Sequence, residues 1–192
     1  MTLNASFGLM VVAAVMYLAG PVHADTIEEK AALCAACHGE KGVPIDPKFP
    51  IIWGQHAGYM YLQLKDIKSG ARKNDLMAPL LEQMSKEDML ALAEYFEAKE
   101  WPATGYTFKD AGGEAGKANK IEVAAQCSAC HQERYLGTGV QPRLTGQNVD
   151  YLIKTTHDFK TKERANNTFM NDMLATFSDE DIALMSRFVA GQ

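Results

Sequence analysis

The chain has 192 residues, 47% hydrophobic and 22% charged, with a formal net charge of -5 from 19 basic and 24 acidic side chains. That length allows one globular domain or two small ones. The acidic balance, with no basic run, excludes a surface built to neutralise nucleic-acid phosphates, and the composition is unlike that of a disordered or collagen-like chain.

Phe7 to Ala19 is apolar apart from Tyr17, ends at Gly20-Pro21 and leads into Val22-His23-Ala24, a small-x-small cleavage pattern, although no Lys or Arg precedes it. The expectation is an export signal over residues 1–24, cleaved before Asp25. The apolar run falls short of the roughly 20 residues a membrane span needs, and no later segment is long and apolar enough to span. The mature chain is therefore expected in the periplasm, soluble and not membrane-spanning.

An internal repeat then organises the rest. Cys34-Ala35-Ala36-Cys37-His38 returns as Cys127-Ser128-Ala129-Cys130-His131, and Pro50 with Gly54-Gln55 returns as Pro142 with Gly146-Gln147. Tyr59, Arg72, Asn74, Met77 and Ser85 find counterparts in Tyr151, Arg164, Asn166, Met170 and Ser178. In chain order, helices are expected over Ile27 to Cys37, His56 to Ser69 and from Ser85, then over Ala115 to Cys130, Val149 to Lys160 and from Ser178. Gly/Pro-rich loops cover Gly39 to Gly54 and Glu133 to Gly146. Ser85 with Asp88, and Ser178 with Asp181, have the spacing of a helix N-cap and its third residue. Met89, Leu92, Ala93 and Phe96 behind the first cap, and Ile182, Met185, Phe188 and Val189 behind the second, are expected core. No alternating β-branched stretch suggests a sheet. The expectation is an all-α chain with a first domain over residues 25–101, a linker over 102–113 and a second domain over 114–192. Each is thin on core, so a large covalent hydrophobic group would help to fill it.

The four cysteines form two CxxC pairs, each followed directly by a histidine. Two thiols one helical turn apart can add to the two vinyl groups of one haem, with the adjacent histidine ready to ligate its iron. The alternatives are a thioredoxin-like redox pair, a four-thiolate zinc site and a disulfide within each pair. None of them explains the repeated histidines. Two covalently attached haem c groups are therefore expected, held through Cys34 and Cys37 and through Cys127 and Cys130, with His38 and His131 on the irons. Met77 and Met170 lie at the same distance, 39 residues, beyond those histidines, and are the candidate second axial ligands. Met60, Met84, Met89, Met173 and Met185 read as packing, and His56 and His157, which are not equivalent in the two units, as polar-network histidines. The carbonyls of Pro50 and Pro142 are candidate acceptors for the ligand histidines' other ring N–H. Arg72, Arg164, Asn74 and Asn166 are candidate partners of the haem propionates, and Trp53 and Tyr59 candidate packing against the first haem.

Cys34-Ala35-Ala36-Cys37-His38-Gly39, Phe49-Pro50 with Gly54-Gln55, Tyr59 with Gln63-Leu64, Gly70-x-Arg72-x-Asn74, Met77, and Ser85-x-x-Asp88 through Tyr95-Phe96 together resemble the dihaem c4-type cytochromes, a branch of the class I cytochromes c. The resemblance implies two tandem class I cytochrome c-like domains, each wrapped around one covalent haem. It also implies electron transfer between redox proteins of the periplasm, with a terminal oxidase, another membrane complex or a flavoprotein as candidate partners. The second unit departs from the pattern at Gln132, Thr155-Thr156 and Lys162, where the first has Gly39, Gln63-Leu64 and Gly70. The layout is also similar to the dihaem subunit of flavocytochrome c sulfide dehydrogenases, which takes electrons from a flavoprotein. A haem enzyme with one open iron is the catalytic alternative.

Overall fold

The computed structural model describes residues 26–192; the expected export segment lies outside the described residues. Among the described residues there are nine α-helices and no strand, only an isolated antiparallel bridge between Thr138 and Gln141. The all-α expectation holds.

The first unit contains α1 (Ile27–His38), α2 (Ala57–Lys68), α3 (Ala78–Leu81) and α4 (Lys86–Glu97). Ser85 accepts from the Asp88 N–H while Asp88 accepts from the Ser85 N–H, so the expected cap is a complete capping box. A second box, Thr26 with Glu29, starts α1 and had not been anticipated. The α4 stripe Met89, Leu92, Ala93 and Phe96 is buried and lies against α1 and α2. Met60, Ile67, Leu81 and Met84 complete that core, each buried apolar side chain contributing about 1.5–3 kcal/mol.

The second unit repeats the plan with α5 (Glu114–Ala125), α6 (Cys127–His131), a 3-10 turn over Glu133–Tyr135, α7 (Val149–Lys160), α8 (Thr168–Leu174) and α9 (Asp179–Ala190). The single helix expected over Ala115 to Cys130 is instead broken at Gln126, which takes a left-handed conformation with φ 53°. The Gln126 N–H still bonds to the Glu122 carbonyl at 2.6 Å. The Glu122 carboxylate then accepts from both the backbone N–H and the hydroxyl of Ser128, so the carboxylate recaps the chain and the CxxCH helix starts afresh. At α9, Ser178 caps the Asp181 N–H as expected, but the Asp181 carboxylate reaches Lys117 on α5 at 2.6 Å. That carboxylate is spent on tying two helices together.

The segment between the units is not slack. The Arg143 guanidinium stacks 4.4 Å from the Trp101 ring centroid, and Phe108 meets Phe188 edge-on at 5.4 Å. Tyr106 and Phe108 join the apolar cluster of the second unit, so the segment is strapped to that unit by aromatic packing.

Candidate cofactor sites

Both CxxCH motifs close a helix with the histidine turned inward. His38 and His131 are 7% and 8% exposed, and each points its Nδ1 at a proline carbonyl: Pro50 at 2.8 Å and Pro142 at 3.0 Å. Burial lowers both imidazole pKa values, and the carbonyl bond opposes this only in part. A neutral ring with Nδ1–H engaged leaves Nε2 as the basic nitrogen, the form a metal ligand requires.

The cysteines precede these rings on the same helical turns. All four are free thiols, Cys37 and Cys130 exposed, Cys34 and Cys127 half-buried and pushed up to about 11, first by burial. The half-buried Cys34 and Cys127 thiols are protonated at neutral pH, unlike the attacking thiolate of a redox pair. Among the described residues no group of three or more His, Cys, Asp or Glu side chains is placed to hold a metal ion, so the cysteines are not gathered into one tetrahedral site.

Met77 and Met170 are half-buried at the starts of α3 and α8, and each backbone N–H is held at 3.1 Å by an asparagine Oδ1 three residues earlier. Those asparagines are Asn74 and Asn167. The pairing of Asn74 with Asn166 expected from the repeat is therefore corrected: the one-residue length change falls between Arg164 and Asn167, and Asn166 has a different task. Met60, Met84 and Met89 lie in the first core, as expected. His56 donates its Nε2–H to the Leu136 carbonyl of the other unit at 2.9 Å, and His157 lies 4.0 Å from Asp179, so both serve polar networks.

Between the units lies a polar cluster that sequence reasoning saw only in pieces. Arg164, 6% exposed, donates to Thr155, Gln63, Tyr59 and Asn166 and stacks on Phe159. Arg72 donates to Gln63 at 3.0 Å and to Tyr151 at 3.5 Å. Asn166 donates to Gln63 and to Asp66 across the interface. Every Arg164 acceptor is a neutral group. Burial opposes ionisation of Tyr151, yet the two guanidiniums outweigh it and lower its pKa to about 7. Among the described residues neither guanidinium is paired with a carboxylate, so both can receive an anion.

A second interface feature went unforeseen. Gln55 and Gln147, both 3% exposed, reach across and clasp backbone of the opposite unit, Gln147 on Ile51 and Gln55 on Arg143. The repeated Gly-Gln was visible in the sequence, but a glutamine whose partner is backbone nearly a hundred residues away carries no chemical signature of its own.

These residues fit a haem in each unit. Both offer a neutral buried imidazole beside a thiol pair, and the guanidiniums lack an anion that propionates supply. Large apolar side chains stand exposed beside the motifs: Leu33, Leu76 and Leu80 in the first unit, Val123, Leu136 and Phe169 in the second. The second unit's buried apolar residues also divide into two clusters, one joined by Cys127 and the other by Met170. The fold and these sites define a tandem c-type cytochrome.

A family model described as cytochrome c matches residues 115–192. Cytochrome c4 of Azotobacter vinelandii is 33% identical over 180 residues, covering 84% of this chain and 85% of that one. The chain belongs to the cytochrome c4 family. The crystal structure of reduced recombinant cytochrome c4 from Pseudomonas stutzeri superimposes with a TM-score of 0.74 at 28% identity, covering 88% of this chain and 99% of that one. The thiosulfate dehydrogenase electron acceptor of Stutzerimonas stutzeri (strain A1501) is 31% identical over 170 residues, covering 83% of this chain and 79% of that protein. The chain is thus a periplasmic dihaem electron-transfer protein of the c4 type, carrying two covalent haem c groups. Among the described residues no helix is long and apolar enough to cross a membrane.

Proposed function

We propose that residues 25–101 and 114–192 each hold one haem, through Cys34 and Cys37 with His38 and Met77, and through Cys127 and Cys130 with His131 and Met170. The observation that carries this reading is the matched histidine setting, buried, neutral and bonded through Nδ1 to Pro50 or Pro142. When bound, each haem supplies a one-electron Fe(III)/Fe(II) couple. The chain's own part is to fix the ligands and exclude water. Pro50 and Pro142 orient the imidazoles, Asn74 and Asn167 hold the backbone of the methionines, and Arg72 and Arg164 present donors to the propionates, while Asn166 spends both amide hydrogens on Gln63 and Asp66. Asn74 is committed through its oxygen to Met77, so its role toward a propionate is confined to its amide nitrogen.

Met77→Ala and Met170→Ala test the ligand set. Each is expected to remove half of the methionine–iron absorption band at the red edge of the visible spectrum and to open one iron to cyanide. An unchanged band in either variant overturns that ligand. The net charge of -5 favours a redox partner with a basic docking patch. Its electron-transfer rate is expected to fall as ionic strength rises, and a rate independent of salt counts against such docking. A terminal oxidase or other membrane complex is one candidate partner. A second reading, acceptance of electrons from a thiosulfate-oxidising dehydrogenase or from a flavoprotein dehydrogenase, draws support from the likeness to the Stutzerimonas stutzeri acceptor. Rapid mixing with each reduced enzyme separates these: the true donor reduces the cytochrome within its own turnover time.

A further inference from the structure

We propose that Gln147 and Gln55 are positioning residues acting across the interface, each tuning the axial histidine of the opposite unit through a shared peptide bond. The inference rests on the assignment of His38 and His131 as iron ligands.

The atoms form two matched chains. The peptide between Pro50 and Ile51 accepts from His38 Nδ1–H through its carbonyl at 2.8 Å and donates its N–H to Gln147 Oε1 at 2.7 Å. In the other unit, the peptide between Pro142 and Arg143 accepts from His131 Nδ1–H at 3.0 Å and donates its N–H to Gln55 Oε1 at 2.9 Å. Each glutamine closes the clasp by donating Nε2–H to the carbonyl of the same residue, Ile51 or Arg143, at 3.0 Å. Its Oε1 also accepts the N–H of the next residue in its own chain, Asn148 or His56, which holds the amide in place.

Two considerations make this more than interface adhesion. Ile51 and Arg143 have unrelated side chains, yet the same two backbone groups of each are clasped, and each is the residue directly after the carbonyl that orients a ligand. What the two units share here is the hydrogen-bonded chain. The surroundings are also dry, with Ile51 1% exposed and both glutamines 3% exposed, and hydrogen bonds linked through a peptide in such surroundings polarise one another. Donation from the Ile51 N–H makes the Pro50 oxygen a better acceptor, which raises the electron density of the His38 ring and favours the oxidised iron. Loss of the glutamine acceptor therefore raises the reduction potential, in the unit that does not carry the substitution.

The test is Gln147→Met and Gln55→Met in the dihaem protein, with each haem's potential followed through its own resolved NMR resonances. Gln147→Met is expected to raise the potential of the haem at Cys34 and Cys37 more than that of its partner, and Gln55→Met to do the reverse. Gln147→Asn and Gln55→Asn, which withdraw the amide by one methylene, give the same crossed pattern at smaller amplitude if the Met variants do not assemble. A larger shift in the haem of the substituted unit, equal shifts in both or no shift overturns the proposal. The Nδ1–H resonances of the reduced protein separate its failure from that of the ligand assignment. If coordinated imidazoles map to residues other than His38 and His131, the assignment itself fails. If they map to these two but do not move in the variants, only the relay fails.

Discussion

Gln132 and Gly39 follow His131 and His38 at equivalent places, and they make opposite predictions from one backbone feature. Gln132 sits at φ 64° and ψ 174°, a region essentially reserved for glycine, while Gly39 sits at φ 88° and ψ 131°. Holding a side chain in such a conformation costs about 1–3 kcal/mol, and glycine gives back about 0.5–1 kcal/mol through the extra freedom of its unfolded chain. The Gln132 side chain is exposed, with one long bond of 3.5 Å to the Cys130 carbonyl, and forfeits little when removed. Gln132→Gly is thus expected to stabilise the second unit by about 1 kcal/mol, or about 4–8 °C for a domain of this size. Gly39→Ala must do worse than Gln132 does, because its Cβ would lie 1.9 Å from the Val43 carbonyl oxygen and 2.4 Å from its carbon, both backbone. A loss of about 2–4 kcal/mol in the first unit is expected. The assay is thermal and guanidinium unfolding of the dihaem protein, with each unit read by its own axial-ligand signal. Destabilisation by Gln132→Gly, or an unchanged first unit in Gly39→Ala, refutes the assignment of strain to this position.

Arg164→Leu leaves Thr155 and Tyr59 without their donor and removes one of three donors from Gln63, and is expected to cost about 2–5 kcal/mol in a denaturant melt. Arg164→Lys recovers less than half of this, since an ammonium cannot reproduce the fork; full recovery contradicts the geometry. Asp88 is held down to about 2 from 3.8, first by the hydrogen bond from Lys30 at 2.5 Å and then by Ser85. Because its folded pKa is depressed, its contribution is complete above about pH 4 and is lost as pH falls toward 2. Asp88→Asn is therefore expected to cost up to about 1 kcal/mol at neutral pH, solvent screening limiting the gain, and nothing at pH 2; a difference that grows on acidification contradicts the sign. The exposed Lys154–Asp158 pair on α7 is a control, with Lys154→Ala expected to cost under about 0.5 kcal/mol.

The parts of this molecule that were legible in the sequence are those whose residue type carries the chemistry. A cysteine pair with its histidine and a serine three before an aspartate each announce a function that few other side chains perform. The helix stripe behind Ser85 is buried as its period predicts. Features settled by neighbours were not legible. Gln126 takes a left-handed turn with nothing in its type to demand one, and the break depends on a carboxylate at Glu122 that recaps the next helix. Asn166 matches Asn74 in type but not in role, because the extra residue lies just beyond it and hands the methionine brace to Asn167. The glutamine clasps are backbone-directed, so the repeat could show that Gln55 and Gln147 correspond, but not that each answers to the other unit.

Charge in this protein is divided between two places that obey different electrostatics. The exterior carries the acidic excess, which salt screens over about 8–10 Å and which serves encounter with a partner. The interface holds Arg164 buried and Arg72 half-buried among phenols, amides and the Asp66 carboxylate, close enough to lower the Tyr151 pKa to about 7. There the solvent is excluded and added salt reaches poorly, so these charges act on whatever anions lie between the units. A single unit of this size would leave Arg164 and its partners at the surface, where their influence on an iron would be diluted by water. Face to face, the two units bury that cluster and clasp each other's ligand-bearing loops with the same contact, so that the surface which joins them is also the one that can set the electronic character of both irons.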